Sequence, residues 1–242
     1  MIVFLQIKMN QDTYNISEYF ESIQGEGNFS GVKSLFIRLQ YCNLTCSWCD
    51  TKYSWNKSSG NFNQYSSNDI NEIIRSSKSY HVIFTGGEPT LYRLDLLTNE
   101  NRKYHVESNG TIIPVMPLRI TLPDGSLFSR EAMDEKVISG FNWVISPKLS
   151  NSRQKINPES IEFWAGKDWG IFKFIARTKS DIDEIDSFIN KYSIDKTRVY
   201  IGIEGTSRES QLNPDLADEI ISGGFNFSPR LHVLLWGDVR GK

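Results

Sequence analysis

Residues 34–51 read Ser34-Leu35-Phe36-Ile37-Arg38-Leu39-Gln40-Tyr41-Cys42-Asn43-Leu44-Thr45-Cys46-Ser47-Trp48-Cys49-Asp50-Thr51, a short apolar run that breaks into a loop holding every cysteine of the chain. Ser34–Leu39 has the length and composition of a buried strand. A ligand-type loop at a strand end is the arrangement by which α/β proteins build their sites. The same pattern continues outward. Further strands are expected at His81–Thr85, Tyr104–Glu107, Trp143–Ile145, Phe172–Ala176, Val199–Ile203 and Leu231–Leu235.

Helix-period segments lie between them. Asn68–Ser77 puts Ile70, Ile73 and Ile74 on one face, and Asp181–Tyr192 does so with Ile182, Ile185, Phe188 and Ile189. Ser180 followed by Asp183 reads as the start of the second, and Asn213-Pro214 as the start of a helix ending near Gly223-Gly224. Alternating strands and helices predict an α/β fold with a parallel sheet. Ser54–Ser67 and Pro114–Gly140 break the rhythm and read as surface loops or insertions. With no linker that divides it, the chain is expected to be one domain over 1–242, with an insertion around 114–140.

With 242 residues, 39% hydrophobic, the chain can bury one sizeable core. A net charge of −2 gives no basic footprint for nucleic acid, so a small-molecule substrate is the better expectation. Met1–Ile7 is too short for a signal segment, and no 18-residue apolar stretch occurs, so no membrane association and a cytoplasmic location are expected. Three clustered cysteines in a reducing compartment do not form a disulfide framework.

Metal or redox chemistry is left for the C-x3-C-x2-C loop. A structural zinc site closes with four protein ligands, and here the fourth would be His81, His105 or His232; three thiolates on a four-iron cluster instead leave one iron open. The strand His81–Thr85 runs into Thr85-Gly86-Gly87-Glu88-Pro89, where paired glycines allow close approach of backbone to a ligand and Glu88 can meet an ammonium group. As an isolated fragment this would be an ordinary turn.

The cysteine loop followed by Gly-Gly-Glu-Pro resembles the radical S-adenosylmethionine (SAM) superfamily. The flanking segments Ser22–Gly27, Leu35–Arg38, Cys49–Thr51, Glu107–Thr111, Ser146–Lys148 and Leu231–Gly237 resemble, within it, the 7-carboxy-7-deazaguanine synthase family. The resemblance runs from about Glu18 to Lys242 and is weakest over Pro114–Gly140. It implies a partial (β/α) barrel reduced in helices. It also implies a [4Fe-4S] cluster on Cys42, Cys46 and Cys49, SAM chelated at the open iron, and Mg²⁺ bound by Thr51.

The implied reaction is that of a carbon–nitrogen lyase: 6-carboxy-5,6,7,8-tetrahydropterin becomes 7-carboxy-7-deazaguanine with loss of ammonia, in deazapurine or queuosine precursor synthesis. SAM supplies a 5′-deoxyadenosyl radical that abstracts hydrogen from the substrate. By the same resemblance Ile23, Gln24, Gly25, Arg38, Thr85 and the terminal carboxylate of Lys242 bind substrate. Trp48, Cys49, Asp50, Gly87, Glu88, Ser146, Pro147 and Lys148 bind SAM. A flavodoxin- or ferredoxin-type electron donor and a homodimer are implied partners.

The residue types suit these roles. A Gln amide offers donor and acceptor to a pterin edge, Gly25 and Gly27 leave room for a flat ring, and the planar Arg38 fork matches a carboxylate. Mg²⁺ keeps waters and takes substrate oxygens, so one protein hydroxyl is enough, although Asp50-Thr51 also reads as a helix cap. Lys148 alone would be a solvated charge, and Asn109-Gly110 an ordinary turn. Tyr200–Glu204 departs from relatives that carry a Gln there, which leaves the adenine-side SAM contact open. Rival readings are a radical SAM activase of anaerobic ribonucleotide reductase, which Gln24 and Arg38 argue against, and a zinc-binding interaction module.

Overall fold

The computed structural model describes residues 12–55, 61–99 and 101–242. The N-terminal run Met1–Ile7 and part of the loop expected over Ser54–Ser67 lie outside the described residues. The chain opens with β1 (Thr13–Ile23), β2 (Lys33–Leu39), β3 (Asn63–Ser66), α1 (Ser67–Ser76), β4 (His81–Gly86) and β5 (Lys103–Ser108). It continues with β6 (Leu118–Thr121), β7 (Leu127–Arg130), α2 (Glu135–Ile138), β8 (Asn142–Ile145), α3 (Pro158–Ala165) and β9 (Gly170–Ala176). Then come α4 (Lys179–Lys191), β10 (Val199–Ile203), α5 (Arg208–Gln211), α6 (Pro214–Ser222), β11 (Asn226–Phe227) and α7 (Leu231–Trp236).

Nine strands form one sheet in the order β11-β10-β9-β8-β5-β4-β2-β1-β3. From β2 to β11 every neighbouring pair is parallel; β1 pairs antiparallel with both β2 and β3. This is a partial (β/α) barrel with few helices. Among its described residues the β4–β5 connection contains two short 3-10 turns, Pro89–Leu91 and Leu94–Leu96, and no α-helix. Strand alternation sorts the side chains by face. Leu35, Ile37 and Leu39 of β2 and Phe172, Phe174 and Ala176 of β9 join the hydrophobic core, with Trp143 and Trp164 in contact at 4.7 Å between ring centroids. The other face carries Phe36 and Arg38, Thr85, Glu107, and Lys173 with Ile175.

Six of the expected strands and all three expected helices are present, and the differences have local causes. Leu231–Leu235 is not a strand but the helix α7: it follows Pro229-Arg230, buries only Val233, and Leu231 N donates to Gly25 O. The α4 cap is Thr178, not Ser180. Its hydroxyl accepts from Asp181 N while Asp181 Oδ2 accepts from Thr178 N, a reciprocal box that outcompetes the position two residues later.

The 114–140 segment is not a plain loop. It folds into the β6–β7 hairpin, turned at Gly125 (φ +82°), and buries Phe128 against Tyr92 at 5.2 Å. Arg130, 5% exposed, ties it to the body through Nε–H to Thr90 O (2.7 Å), Nη1–H to Met116 O (2.7 Å) and Nη2–H to Ile113 O (3.3 Å). Four carbonyl acceptors, Glu131 O included, satisfy a guanidinium whose pKa burial pushes down to about 10. Among the described residues no helix is long and apolar enough to cross a membrane.

Candidate active site

Parallel strands bring their C-terminal ends to one edge, and that edge opens into a cavity of about 950 Å³. The cysteine loop enters from β2, Thr85–Gly87 from β4, Glu107–Asn109 from β5, Ser146 and Lys148 from β8, and Glu204–Thr206 from β10. Cys42, Cys46, Trp48, Cys49, Asp50 and Thr51 line it together with Ile23, Gln24, Gly25, Arg38, Thr85, Gly87, Ser146, Lys148 and Lys242. Of the residues expected from the sequence, Glu88 and Pro147 alone are not on its wall.

Glu88 is the first of these two. It is fully buried, and its carboxylate accepts from Thr90 N, Thr90 Oγ1, Ser108 Oγ and Asn109 N at 2.6–2.9 Å. Burial pushes its pKa up, and those four donors oppose the shift without reversing it. Glu88 therefore joins the ends of β4 and β5 through its side chain. The paired glycines also serve protein backbone. A Cβ on Gly87 would stand 1.8 Å from Tyr41 O and one on Gly86 2.0 Å from Leu39 O. Their absence lets Gly87 N donate to Leu39 O (3.0 Å) and Glu88 N to Tyr41 O (2.8 Å), which fastens the start of the cysteine loop to β4.

The loop closes on itself. Tyr41, left-handed at φ 74°, donates its N–H to Ser54 O at 2.6 Å, and Ser54 Oγ donates to Thr51 O at 2.7 Å. The cysteine sulfurs meet donors: Trp55 Nε1 lies 3.3 Å from Cys49 Sγ, Leu44 N 3.4 Å and Asn109 Nδ2 3.8 Å from Cys42 Sγ. Burial pushes the Cys42 and Cys46 thiols up; Lys148 opposes this at Cys46, while its own ammonium is pushed down by burial and partly restored by Cys46. Lys148 Nζ bonds Ser146 Oγ (2.8 Å) and sits 5.2 Å from the Trp48 ring centre. Trp48 Nε1 is buried with no hydrogen-bond partner among the described residues.

These features fit a thiolate-held iron–sulfur cluster with a polar ligand beside it: three sulfurs on one cavity wall, N–H groups aimed at two of them, and an orphan indole donor. The histidines of the zinc alternative are dispersed. His81 and His105 pair with each other (Nδ1···Nε2 2.7 Å) at the start of β4 and in β5, whereas His232 lies on the cavity wall. Among the described residues no three His, Cys, Asp or Glu side chains converge to hold a single ion.

The same cavity holds a group of charges with no sequence pattern to connect them. Lys173 Nζ is 2.5 Å from Glu26 Oε2 and 2.8 Å from Glu107 Oε2. Arg230 donates to Glu26 Oε1 (2.8 Å) and to Asp50 Oδ2 (2.5 Å). Gln24 Nε2 donates to Glu107 Oε1 (2.8 Å). Burial raises the Glu26 carboxyl, but Lys173 and Arg230, with His232, outweigh it and hold it well below the usual carboxylate range. Burial lowers Lys173, and Glu107 and Glu26 more than reverse it. The only signal available in the sequence was Lys173 at an inward position of a strand otherwise apolar.

Gln24 arrives differently from the rest. Because β1 runs antiparallel, Ile23 lies opposite Lys33, at the far edge from the cysteine loop. The chain then turns across the concave face, held by Gly27 N on Ser228 Oγ (2.8 Å) and Glu26 on Lys173. Gly25 is needed there, since a Cβ would meet His232 Nδ1 at 1.9 Å. Arg38 Nε donates to Glu18 Oε1 (2.7 Å), and the residue lines the cavity. Glu18 also accepts from Tyr53 Oη (2.8 Å) and Arg240 Nε (2.6 Å).

Residues 36–142 match the family model described as the radical SAM superfamily. A 7-carboxy-7-deazaguanine synthase of Pyrobaculum aerophilum is 31% identical over 239 residues, covering 94% of this chain and 96% of that one. The synthase of Hyperthermus butylicus is also 31% identical, over 91% of this chain and 92% of its own. In three dimensions the chain is similar to the crystal structure of QueE from Escherichia coli, with a TM-score of 0.67, 25% identity, and coverage of 91% of this chain and 95% of that one. Full-length similarity of this kind, on a fold whose strand ends gather all three cysteines into one cavity, places the chain in the 7-carboxy-7-deazaguanine synthase family of the radical SAM superfamily.

Proposed function

We propose that this chain is a carbon–nitrogen lyase that converts 6-carboxy-5,6,7,8-tetrahydropterin to 7-carboxy-7-deazaguanine with loss of ammonia. The observation that carries the reading is the convergence of Gln24, Arg38, Thr85 and Lys148 with the three cysteines on one cavity wall, in a chain matched along its length by synthases of this name. Cys42, Cys46 and Cys49 would hold the [4Fe-4S] cluster, and SAM bound beside it supplies the radical that takes hydrogen from substrate.

The chain's own residues supply binding and electrostatics. Arg38, fixed through Nε by Glu18, presents its Nη groups to the substrate carboxylate. Gln24, oriented by Glu107, borders the pterin with Ile23 and Gly25, and Thr85 adds a hydroxyl. Lys242 contacts substrate at the cavity mouth. Trp48, Cys49, Asp50, Gly87, Glu88, Ser146, Pro147 and Lys148 form the SAM side, with Gly87 acting through its backbone. Thr51, whose Oγ1 is 3.7 Å from Cys49 Sγ, takes Mg²⁺. Lys173, held protonated between two carboxylates, acts as a fixed positive charge rather than a proton source.

An electron carrier of the flavodoxin or ferredoxin class completes the system, and two chains associate as a homodimer; light scattering on a sizing column checks the second. The decisive assay incubates the anaerobically reconstituted protein with the carboxytetrahydropterin, SAM, Mg²⁺ and reductant. The deazaguanine product is expected by mass and absorbance. SAM cleavage without that product, from protein carrying full iron and sulfide, would overturn the substrate assignment.

A further inference from the structure

Among the described residues, one of the three cysteine sulfurs receives a removable aromatic N–H donor. Trp55 Nε1 donates to Cys49 Sγ at 3.3 Å, a short contact for nitrogen and sulfur. Cys42 is served by the backbone N–H of Leu44 and, at 3.8 Å, by the Asn109 amide, which is also committed to Asn43 Oδ1 at 2.9 Å.

The indole is held in place by the chain around it. Trp55 caps the 3-10 turn Lys52–Ser54, its N–H on Lys52 O at 3.2 Å. Ser54, fully buried, clamps that turn to both Tyr41 and Thr51. The loop from Tyr41 to Ser54 is thus a closed ring, and Trp55 leaves it with its N–H on the last cysteine.

We propose that Trp55 is a positioning residue that sets the reduction potential of the iron–sulfur cluster, through its hydrogen bond to the Cys49 thiolate. This rests on the assignment of Cys42, Cys46 and Cys49 as cluster ligands. The physical basis is charge. One-electron reduction adds negative charge to cluster and thiolates, and an N–H dipole directed at sulfur stabilises the reduced state more than the oxidised one. A hydrogen bond to a charged group is roughly twice as strong as a neutral one, and the part of it that distinguishes the two redox states changes the ratio of reduced to oxidised cluster about tenfold. The donor therefore raises the potential and widens the range of low-potential electron carriers able to drive the cluster.

The test is Trp55→Phe, which keeps the ring and removes the donor, with iron, sulfide and an EPR-monitored potentiometric titration on both proteins. At the wild-type midpoint the reduced-to-oxidised ratio of the variant should fall from one to about one-tenth, a shift of about 59 mV to more negative potential for a one-electron couple. A midpoint within twofold of the wild-type ratio, at equal iron and sulfide, overturns the proposal. If the variant assembles no cluster, wild-type and Trp48→Phe proteins carrying ¹⁵N-indole tryptophan decide. A nitrogen coupling to the reduced cluster that persists in Trp48→Phe supports the proposal, and its absence there overturns it. Wild-type protein that takes up no iron and sulfide would instead refute the cluster assignment, a distinguishable failure.

Discussion

Replacing Lys173 by Met isolates the buried charge group of the cavity. The three side chains are 11% (Lys173), 14% (Glu26) and 17% (Glu107) exposed, so two carboxylates would lose a shared ammonium in a poorly solvated place. An exposed pair is worth about 0–1 kcal/mol, whereas removing one partner of a buried pair costs about 3–5 kcal/mol. Arg230 remains on Glu26 and Gln24 on Glu107, which puts the expected cost at the lower end, about 3 kcal/mol, or roughly two orders of magnitude in the folding equilibrium.

Urea unfolding of the metal-free chain at pH 7 measures it: the midpoint should fall with the slope unchanged. Lys173→Met with Glu107→Gln should recover about 1 kcal/mol or more, because the orphaned charge goes too. The pH dependence has a fixed sign. Glu26 is depressed, so its contribution is present above its ordinary value and lost as pH falls through its folded value. Lys173 is raised, so its contribution is present below its ordinary value and lost as pH rises through its folded value. The gap between wild type and variant should be widest between about pH 5 and 10 and narrow on either side. A Lys173→Met cost under about 1 kcal/mol would refute the reasoning, since that is the value of a solvated pair.

Gly87→Ala should lower stability by about 2 kcal/mol and reduce iron uptake, because its Cβ would stand 1.8 Å from Tyr41 O; urea midpoints and iron content check this, and wild-type values for both would contradict it. His105, driven down to about 3 by burial, then by His81 and Lys103, takes no proton in the fold while the unfolded chain does below about 6.5. Stability should therefore fall on acidification by up to about 1.4 kcal/mol per pH unit, and His105→Gln should lose roughly 2 kcal/mol less than wild type between pH 7 and pH 5. Equal losses in urea titrations would count against it. Thr51→Ala should keep iron and sulfide at wild-type levels while weakening the Mg²⁺ dependence of turnover at least tenfold; an unchanged Mg²⁺ titration would remove Thr51 as the ligand.

What could be read from the sequence divides along a physical line. Elements fixed by their own pattern were legible: Val199–Ile203 and Pro214–Ser222 follow from apolar period and a cap, and the parallel strand ends that gather the cysteines follow from their alternation. Elements decided by competition were not. Leu231–Leu235 has strand composition, but its backbone makes a helical turn whose first N–H bonds the Gly25 carbonyl. Glu88 looked like a ligand because a carboxylate after two glycines is chemically fit to meet an ammonium. Its fate was set by Ser108 and Asn109, some twenty residues away, which the β4–β5 pairing brings within hydrogen-bond reach.

The same long-range pairing changes what the family's Gly-Gly-Glu segment does in this chain. Gly86 and Gly87 admit the backbone of Leu39 and Tyr41, Glu88 ties β4 to β5, and Arg130 of the hairpin holds the carbonyl of Thr90. The first two contacts end on the segment that leads into Cys42, and the others brace the end of β4 that they rest on. The segment therefore fixes where the first cysteine stands, and the hairpin over 118–130 belongs to that brace. The one carboxylate in the motif belongs to the same brace, held by four donors from Thr90, Ser108 and Asn109.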